Sequence, residues 1–368
     1  MSTTYLSRDF YEQVYRLVND SIIVIDKETG KIVAANPKAY HIYGYTEPEL
    51  IDMDIKELTI ESSVQVRQIM DKVAASSKGC TFQTKHKKKN GTVMDVEINS
   101  QLFVSGNKEF FLNVIRDISM EKQFCRDLEL ARTMQKNLMP EESSPEPNFN
   151  FSFFYQPLLH VSGDMYDYVY LNDDCLVFLL VDVMGHGIPA ALYTAAVKLF
   201  FRDKIRKCHF PSEFLSKLNR YFNHNVDELG IFMGAICLFL DVKNGIVLCS
   251  NGGINEFILF DSQQGKCQLI ENKGPYIGMF GNSCYVDYGL KLNPGDQLYL
   301  YTDGLVDLRD VNDRMNPQEL LCQLVVKNSK INADQLFAEY LNRLSSFADR
   351  REIIKDDVTL LKIEYNCV

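Results

Sequence analysis

The chain has 368 residues, of which 46% are hydrophobic and 24% charged, and it carries a formal net charge of −10. That length accommodates two or three domains with separate cores, and the acidic balance argues against general nucleic-acid binding, which needs a basic face. No apolar run approaches the roughly 20 residues needed to cross a bilayer, the N-terminal stretch MSTTYLSRDFYEQ lacks a signal pattern, and ten cysteines without a C-x-x-C pair read as reduced thiols. The expectation is a cytoplasmic protein with no membrane insertion and no nucleic-acid partner.

Two β-branched runs, Ser21–Asp26 and 31–35, flank a turn at 27–30 and lead into Asn36-Pro37, a helix start. Runs at 80–85 and 93–100 flank Lys87-Lys88-Lys89-Asn90-Gly91, whose Asn-Gly signals a hairpin, and 109–115 supplies a last strand. A strand pair, helices and three further strands make a small α+β domain over residues 1–118.

This order resembles a PAS sensor domain. The resemblance is carried by Ile23-Val24-Ile25-Asp26, Ile32-Val33-Ala34-Ala35-Asn36, Tyr43-Gly44-Tyr45 with Glu49-Leu50, the Asn90-Gly91 hairpin and Val114-Ile115-Arg116-Asp117-Ile118-Ser119. It implies a five-stranded antiparallel sheet with helices and a sensing role. The ligand is unknown. The cysteine-containing flavin-adduct motif of light-sensing relatives is absent, and His41 lies off the position of the family's haem ligands, so it reads as a packed or exposed histidine. The run Lys85-His86-Lys87-Lys88-Lys89 reads as a solvated hairpin tip, with a phosphate or membrane patch as the alternative.

Residues 119–149 read as a helical linker. Phe124, Leu128, Ala131, Gln135 and Leu138 recur at heptad-like steps before Pro140. Two heptads do not make a stable coiled coil alone. The stripe is either the seam of a homodimer, formed together with the N-terminal domain, or a face packed on its own chain. Residues 141–150, rich in Ser, Pro and Glu, read as a connector.

From residue 150 to the end, apolar runs at 151–156, 165–170, 176–181, 234–242, 245–250, 256–260, 297–301 and 358–364 predict strands. Helices are predicted at 189–207, 211–226, 317–327 and 333–348. Many strands with grouped helices predict two antiparallel sheets with helices outside them. Carboxylates recur at the strand ends: Ser162-Gly163-Asp164, Asp182-Val183-Met184-Gly185-His186-Gly187, Thr302-Asp303-Gly304 and Asp356-Asp357-Val358-Thr359. One such residue is often a helix cap or a turn. Four beside buried runs point instead to hard oxygen ligands for Mg²⁺ or Mn²⁺, and two such ions can activate a water and clamp a phosphoryl oxygen.

These four motifs, in this order, resemble the metal-dependent protein phosphatases of the type 2C (PPM) superfamily, and more narrowly its stage II sporulation protein E-like branch, regulators of sigma-factor partner switching. Glu129-Leu-Ala-Arg-Thr-Met-Gln-Lys-Asn-Leu-Met-Pro140, Ser250-Asn251-Gly252-Gly253 and Lys273-Gly274-Pro275-Tyr276-Ile277-Gly278-Met279 add to the resemblance. It implies a PPM-type α-β-β-α sandwich and a phosphoserine or phosphothreonine protein phosphatase using two divalent metal ions, Mn²⁺ or Mg²⁺. The implied substrate is a phosphorylated anti-sigma factor antagonist. Asp164, Asp182, Asp303 and Asp356 are the implied catalytic residues. The implied metal ligands are Asp164, Asp182, the Val183 carbonyl, Asp303 and either Asp356 or Asp357, with Asp356 favoured as the first of its pair. Gly185 and Gly187 are expected to let the backbone come close beside the metals. Met184, Ser162 and Gly253-Ile254 depart from the common pattern without removing a carboxylate. His186 reads either as a proton donor or as a structural histidine in a glycine turn. A catalytically idle phosphatase fold acting as a binding module is the rival reading, and the N-terminal domain as a mere dimerisation unit is a third.

Overall fold

The structure, a computed structural model, describes residues 7–140, 148–226, 230–254, 256–308, 316–344 and 354–366. The chain divides into two compact units, Met1–Asp127 and Leu128–Val368. The expected connector at 141–150 and the end of the helix expected at 333–348 lie partly outside the described residues.

In the first unit, helix α1 (Arg8–Leu17) precedes strands β1 (Ser21–Asp26) and β2 (Ile32–Ala35). Helices α2 (Pro37–Tyr43), α3 (Glu47–Leu50) and α4 (Ser63–Ala75) lead to β3 (Cys80–Lys87), β4 (Val93–Ser105) and β5 (Lys108–Asp117). Asn36 starts α2 because its side chain accepts the Ala39 N–H, and Gly44, at φ 76°, ends it. The sheet runs β2-β1-β5-β4-β3, every pair antiparallel, as a PAS domain requires. One sheet face and the helices enclose a core that includes Ile23, Ile32, Tyr43, Leu50, Val96 and Phe111.

The lysine run is not simply a hairpin tip. Residues 85–87 belong to β3, whose alternation turns His86 inward, 3% exposed. Its Nδ1 shares a 2.6 Å hydrogen bond with the Tyr43 hydroxyl. Burial pulls the imidazole pKa down to about 4. His41, by contrast, is exposed.

Helix α5 (Ser119–Leu138) carries the chain from the first unit into the second. The second unit then contains β6 (Phe149–Gln156), β7 (Asp164–Asn172), β8 (Cys175–Val183), α6 (Ile188–Lys204), α7 (Pro211–Val226), β9 (Met233–Asp241) and β10 (Ile246–Gly252). It continues with β11 (Phe257–Asp261), β12 (Lys266–Ile270), β13 (Tyr288–Lys291), β14 (Gln297–Tyr301), α8 (Asp303–Val306), α9 (Pro317–Lys327), α10 (Ala333–Leu344) and β15 (Val358–Tyr365). The two sheets run β13-β10-β9-β8-β7 and β12-β11-β14-β15-β6.

The central strands are apolar on both sides because both sides are covered. Along β8, Leu176, Phe178 and Leu180 join the core between the sheets, while Val177, Leu179 and Val181 join the core under α6 and α7. On β14, Leu298 and Leu300 face the other sheet, and Tyr299 and Tyr301 pack with residues of α9 and α10. Period-two alternation thus feeds three layers of packing and produces the expected α-β-β-α sandwich. Among the described residues, no helix is long and apolar enough to cross a membrane.

Candidate active site

The acidic stations meet where strand ends of the two sheets come together. Asp164, the first residue of β7, lies opposite Asp182 near the end of β8 in the antiparallel register. From the other sheet, Asp303 opens α8 directly after β14, and Asp356-Asp357 precede β15. Asp164 Oδ2 accepts hydrogen bonds from Thr302 Oγ1 at 2.7 Å and Thr359 Oγ1 at 2.6 Å. Thr302 Oγ1 in turn accepts the Thr359 N–H at 3.0 Å. Two threonines of one sheet therefore hold the carboxylate of the other.

The two glycine stations solve different problems. A Cβ on Gly304 would meet the Asp357 carbonyl oxygen at 1.9 Å, and one on Gly163 would meet the Val183 carbonyl oxygen at 2.8 Å. These glycines permit close backbone approach. Gly185 and Gly187 do not do so within the chain: an added Cβ at either meets no protein atom within 4 Å, and their φ values are 97° and 80°. What they supply is the left-handed backbone of the turn that launches α6.

Burial and like charge define the electrostatics. Asp164 is 1% exposed; burial raises its carboxyl pKa well above the usual range, the threonine hydrogen bonds oppose this, and Asp357 and Asp303 add to it. Burial likewise raises Asp182, with further contributions from Asp164, Asp303 and Asp356 and a hydrogen bond shared with Asp303. Asp303 is raised by burial, then by Asp356 and Asp307. Among the described residues, no lysine or arginine stands within ion-pair distance of Asp164, Asp182, Asp303 or Asp356. The next buried carboxylate on β7 differs: Asp167, fully buried, meets Lys198 at 2.9 Å and Arg202 at 2.5 Å, both from α6.

The Asp356–Asp357 pair separates by geometry. Asp357 is 4% exposed, and its carboxylate oxygens accept the Leu158 and Gly163 N–H groups, each at 2.7 Å. It fastens the loop before Asp164. Asp356 is exposed and faces Asp182 and Asp303 electrostatically. Among the described residues no three His, Cys, Asp or Glu side chains are close enough to form a ready-made metal cage. Asp164 and Asp182 are neighbours by register, and Asp182 shares a hydrogen bond with Asp303. Their chemistry still fits a hard divalent cation: every donor is an oxygen, and like charge adds to burial in raising Asp164, Asp182 and Asp303 with no described lysine or arginine in ion-pair distance.

His186 is exposed and makes no hydrogen bond among the described residues. Met184 is 46% exposed, with its N–H on the Phe232 carbonyl. Ser162 is buried, and its hydroxyl accepts the Asp164 N–H at 2.9 Å. Ile254 donates its N–H to Asn251 Oδ1, which fixes the turn where the common pattern has histidine.

Gln135 carries more than its place in the heptad suggests. It is the buried residue of α5, whereas Phe124 and Leu138 of the expected stripe are exposed. Its Oε1 accepts the Ser162 N–H at 2.9 Å, and its Nε2 donates to the Ser162 carbonyl at 2.8 Å and to Thr194 Oγ1 at 3.2 Å. One amide thereby ties α5 to the turn before Asp164 and to α6. The polar residue within an apolar stripe was the available signal. Thr302 and Thr359 each stand beside an acidic station, but nothing in the sequence ties either of them to Asp164.

Residues 172–366, over half of the chain, match the family described as Stage II sporulation protein E (SpoIIE). That span holds Asp182, Val183, Asp303, Asp356 and Asp357 and begins after Asp164. Residues 19–120 match a PAS domain family. The chain is similar to phosphoserine phosphatase RsbP of Bacillus subtilis, 30% identical over 185 residues, covering 50% of this chain and 45% of that protein. It is also similar to phosphoserine phosphatase RsbU of the same organism, 22% identical over 242 residues, covering 66% of this chain and 71% of that one. It thus spans under half the length of RsbP. The solved SiaA-PP2C domain of Pseudomonas aeruginosa shares the fold, with a TM-score of 0.58 at 19% identity over 68% of this chain and 100% of that domain. The chain belongs to the stage II sporulation protein E family and carries a PAS domain ahead of the matched region.

Proposed function

We propose that this chain is a metal-dependent protein phosphatase that hydrolyses phosphoserine or phosphothreonine on a protein, under the control of its PAS domain. The observation that carries the reading is the gathering of aspartates from four strand ends of two sheets, mutually repelling and, among the described residues, without a lysine or arginine in ion-pair distance. The similarity to two proteins named phosphoserine phosphatases supports it. Asp164, Asp182, Asp303, Asp356 and the Val183 carbonyl would hold two divalent cations, Mn²⁺ or Mg²⁺, and Asp357 would act by fastening the loop before Asp164. When bound, such cations supply a Lewis acid for a phosphoryl oxygen and an activated water.

The chain's own groups do the positioning. Thr302 and Thr359 fix Asp164 Oδ2 and leave Oδ1 for a ligand. Gly304 lets the backbone after Asp303 pass against that of Asp356-Asp357, which supports a shared role for Asp303 and Asp356. His186, exposed on the turn beyond Asp182, is the candidate to protonate the leaving serine oxygen. The substrate class that fits the family resemblance is a phosphorylated anti-sigma factor antagonist, met in the cytoplasm. Exposed Phe124, Leu130, Met134 and Leu138 on α5 support a homodimer seam along that helix.

Phosphate release from a phosphoserine peptide, followed with and without Mn²⁺, tests the reading. Mn²⁺-dependent turnover is expected, and Asp182→Asn should lower kcat by about a thousandfold by removing one preorganised charge. Metal binding and capture of a phosphoprotein without any phosphate release would replace the enzyme with a binding module.

A further inference from the structure

Helices α6 and α7 form a hairpin whose outer side is a groove. Phe200 and Lys204 of α6, with Lys207 just beyond, follow one another at i, i+4 and i+7 and make one wall. Lys217, Arg220 and Tyr221 of α7 make the other. The Phe200 and Tyr221 rings, one from each wall, lie 4.9 Å apart. Among the described residues no carboxylate lines the groove. Two of its lysines already carry partners: Lys204 pairs with Asp203 at 2.6 Å and Lys217 with Glu213 at 2.8 Å. Lys207 and Arg220 are exposed and have no carboxylate within ion-pair distance among the described residues.

A cationic groove stands out on a chain whose net charge is −10. An acidic polypeptide is repelled by the protein's average field and drawn only where that field reverses. The aromatic pair adds an apolar surface that can contact a peptide's side chains but not a bare polyanion. The position is informative as well. Helix α6 begins directly after the glycine turn that follows Asp182, and Lys204 stands sixteen residues further along it, about 24 Å at ~1.5 Å per residue. An extended peptide covers that distance in about seven residues.

We propose that this groove docks an acidic segment of the phosphoprotein, a run of Asp and Glu separated from the phosphorylated residue by about seven positions. The proposal rests on the phosphatase reading for its substrate, while the groove's affinity can be measured without catalysis. Charge there sets how long the substrate stays, and the gathered aspartates remain the place of the chemistry.

The test uses the full chain and two labelled phosphoserine peptides that differ only in a run of Glu or of Gln seven residues from the phosphoserine. Fluorescence anisotropy at low salt should show the Glu peptide binding about tenfold more tightly, a preference that high salt erases. The double variant Lys207→Glu, Arg220→Glu should lose the preference. Its KM for the Glu peptide should rise about tenfold, with kcat and the Mn²⁺-dependent hydrolysis of p-nitrophenyl phosphate unchanged. Lys207→Gln, Arg220→Gln should show the same loss to a smaller degree, which separates charge from folding. Equal binding of the two peptides, or a preference that survives in the double variant, overturns the proposal. So does groove-dependent binding to phosphatidylserine vesicles or duplex DNA in place of the Glu peptide. If the parent chain cleaves neither p-nitrophenyl phosphate nor the peptides, the phosphatase reading falls, and the anisotropy comparison still decides the groove.

Discussion

Asp164 and Asp167 lie three residues apart on one strand, both buried, and have opposite surroundings. The odd spacing sends them to opposite faces of the sheet. Asp167 faces α6, where Lys198 and Arg202 neutralise it. Asp164 faces the other sheet, where it meets two hydroxyls and further carboxylates. A buried charge that serves the fold comes with its own counter-charge, as Asp167 does, or with backbone N–H donors, as Asp357 does. Among the described residues the Asp164 cluster has no such counter-charge, as expected of a site for an added cation.

Removing each side of that contrast should have opposite consequences. Asp167→Ala leaves Lys198 buried and unpaired and should cost about 3–5 kcal/mol of stability, read as a lower urea midpoint. Asp182→Asn removes a repelling charge, so the metal-free chain should melt at the same temperature or higher. It should also lose the stabilisation that Mn²⁺ confers on the parent by mass action. Equal destabilisation by both changes would erase the distinction.

His86 offers a third way to bury a titratable group, as the neutral form. Its pKa is about 4 in the fold and about 6.5 in the unfolded chain. The unfolded chain therefore takes the proton first as pH falls. The contribution is complete above about pH 6.5 and is lost progressively toward pH 4, up to about 3 kcal/mol. Urea midpoints of the parent and of His86→Gln should diverge in that window; parallel curves would refute the assignment.

Gln135 marks the smallest effect. Gln135→Ala strands the Ser162 N–H and carbonyl and the Thr194 hydroxyl, at about 1–3 kcal/mol. Because Ser162 holds the Asp164 N–H, the Mn²⁺ midpoint in a calorimetric titration should rise together with the loss in melting temperature. An unchanged midpoint would leave Gln135 a packing residue only.

Most of the sandwich was legible because its central strands are apolar without interruption, which is what strands covered on both faces look like. The strands β12 and β13 were not, being short sheet-edge strands of mixed polarity with mostly exposed residues. Helix α1 was legible in principle, since Phe10, Val14 and Leu17 recur at i, i+4 and i+7, although that stripe is exposed and joins no core among the described residues. The acidic stations could be read from Asp beside Gly at strand ends. What holds them could not: the clamp of Thr302 and Thr359 on Asp164 spans 138 and 195 residues of sequence, and only tertiary structure brings such groups together. The inward turn of His86 was hidden by the lysines around it, since a charged run reads as solvated until the strand's alternation is known.

The threonine clamp also has a mechanical meaning. Because Asp164 belongs to one sheet and its two hydroxyl donors to the other, the alignment of the site depends on how the layers sit on each other. The interlayer aromatics, among them Phe153 stacked on Tyr166 at 4.2 Å, are therefore part of the alignment of the carboxylates, although none of them touches a reacting atom. A slight slip between the layers would detune the carboxylates while leaving each sheet's own hydrogen bonding whole.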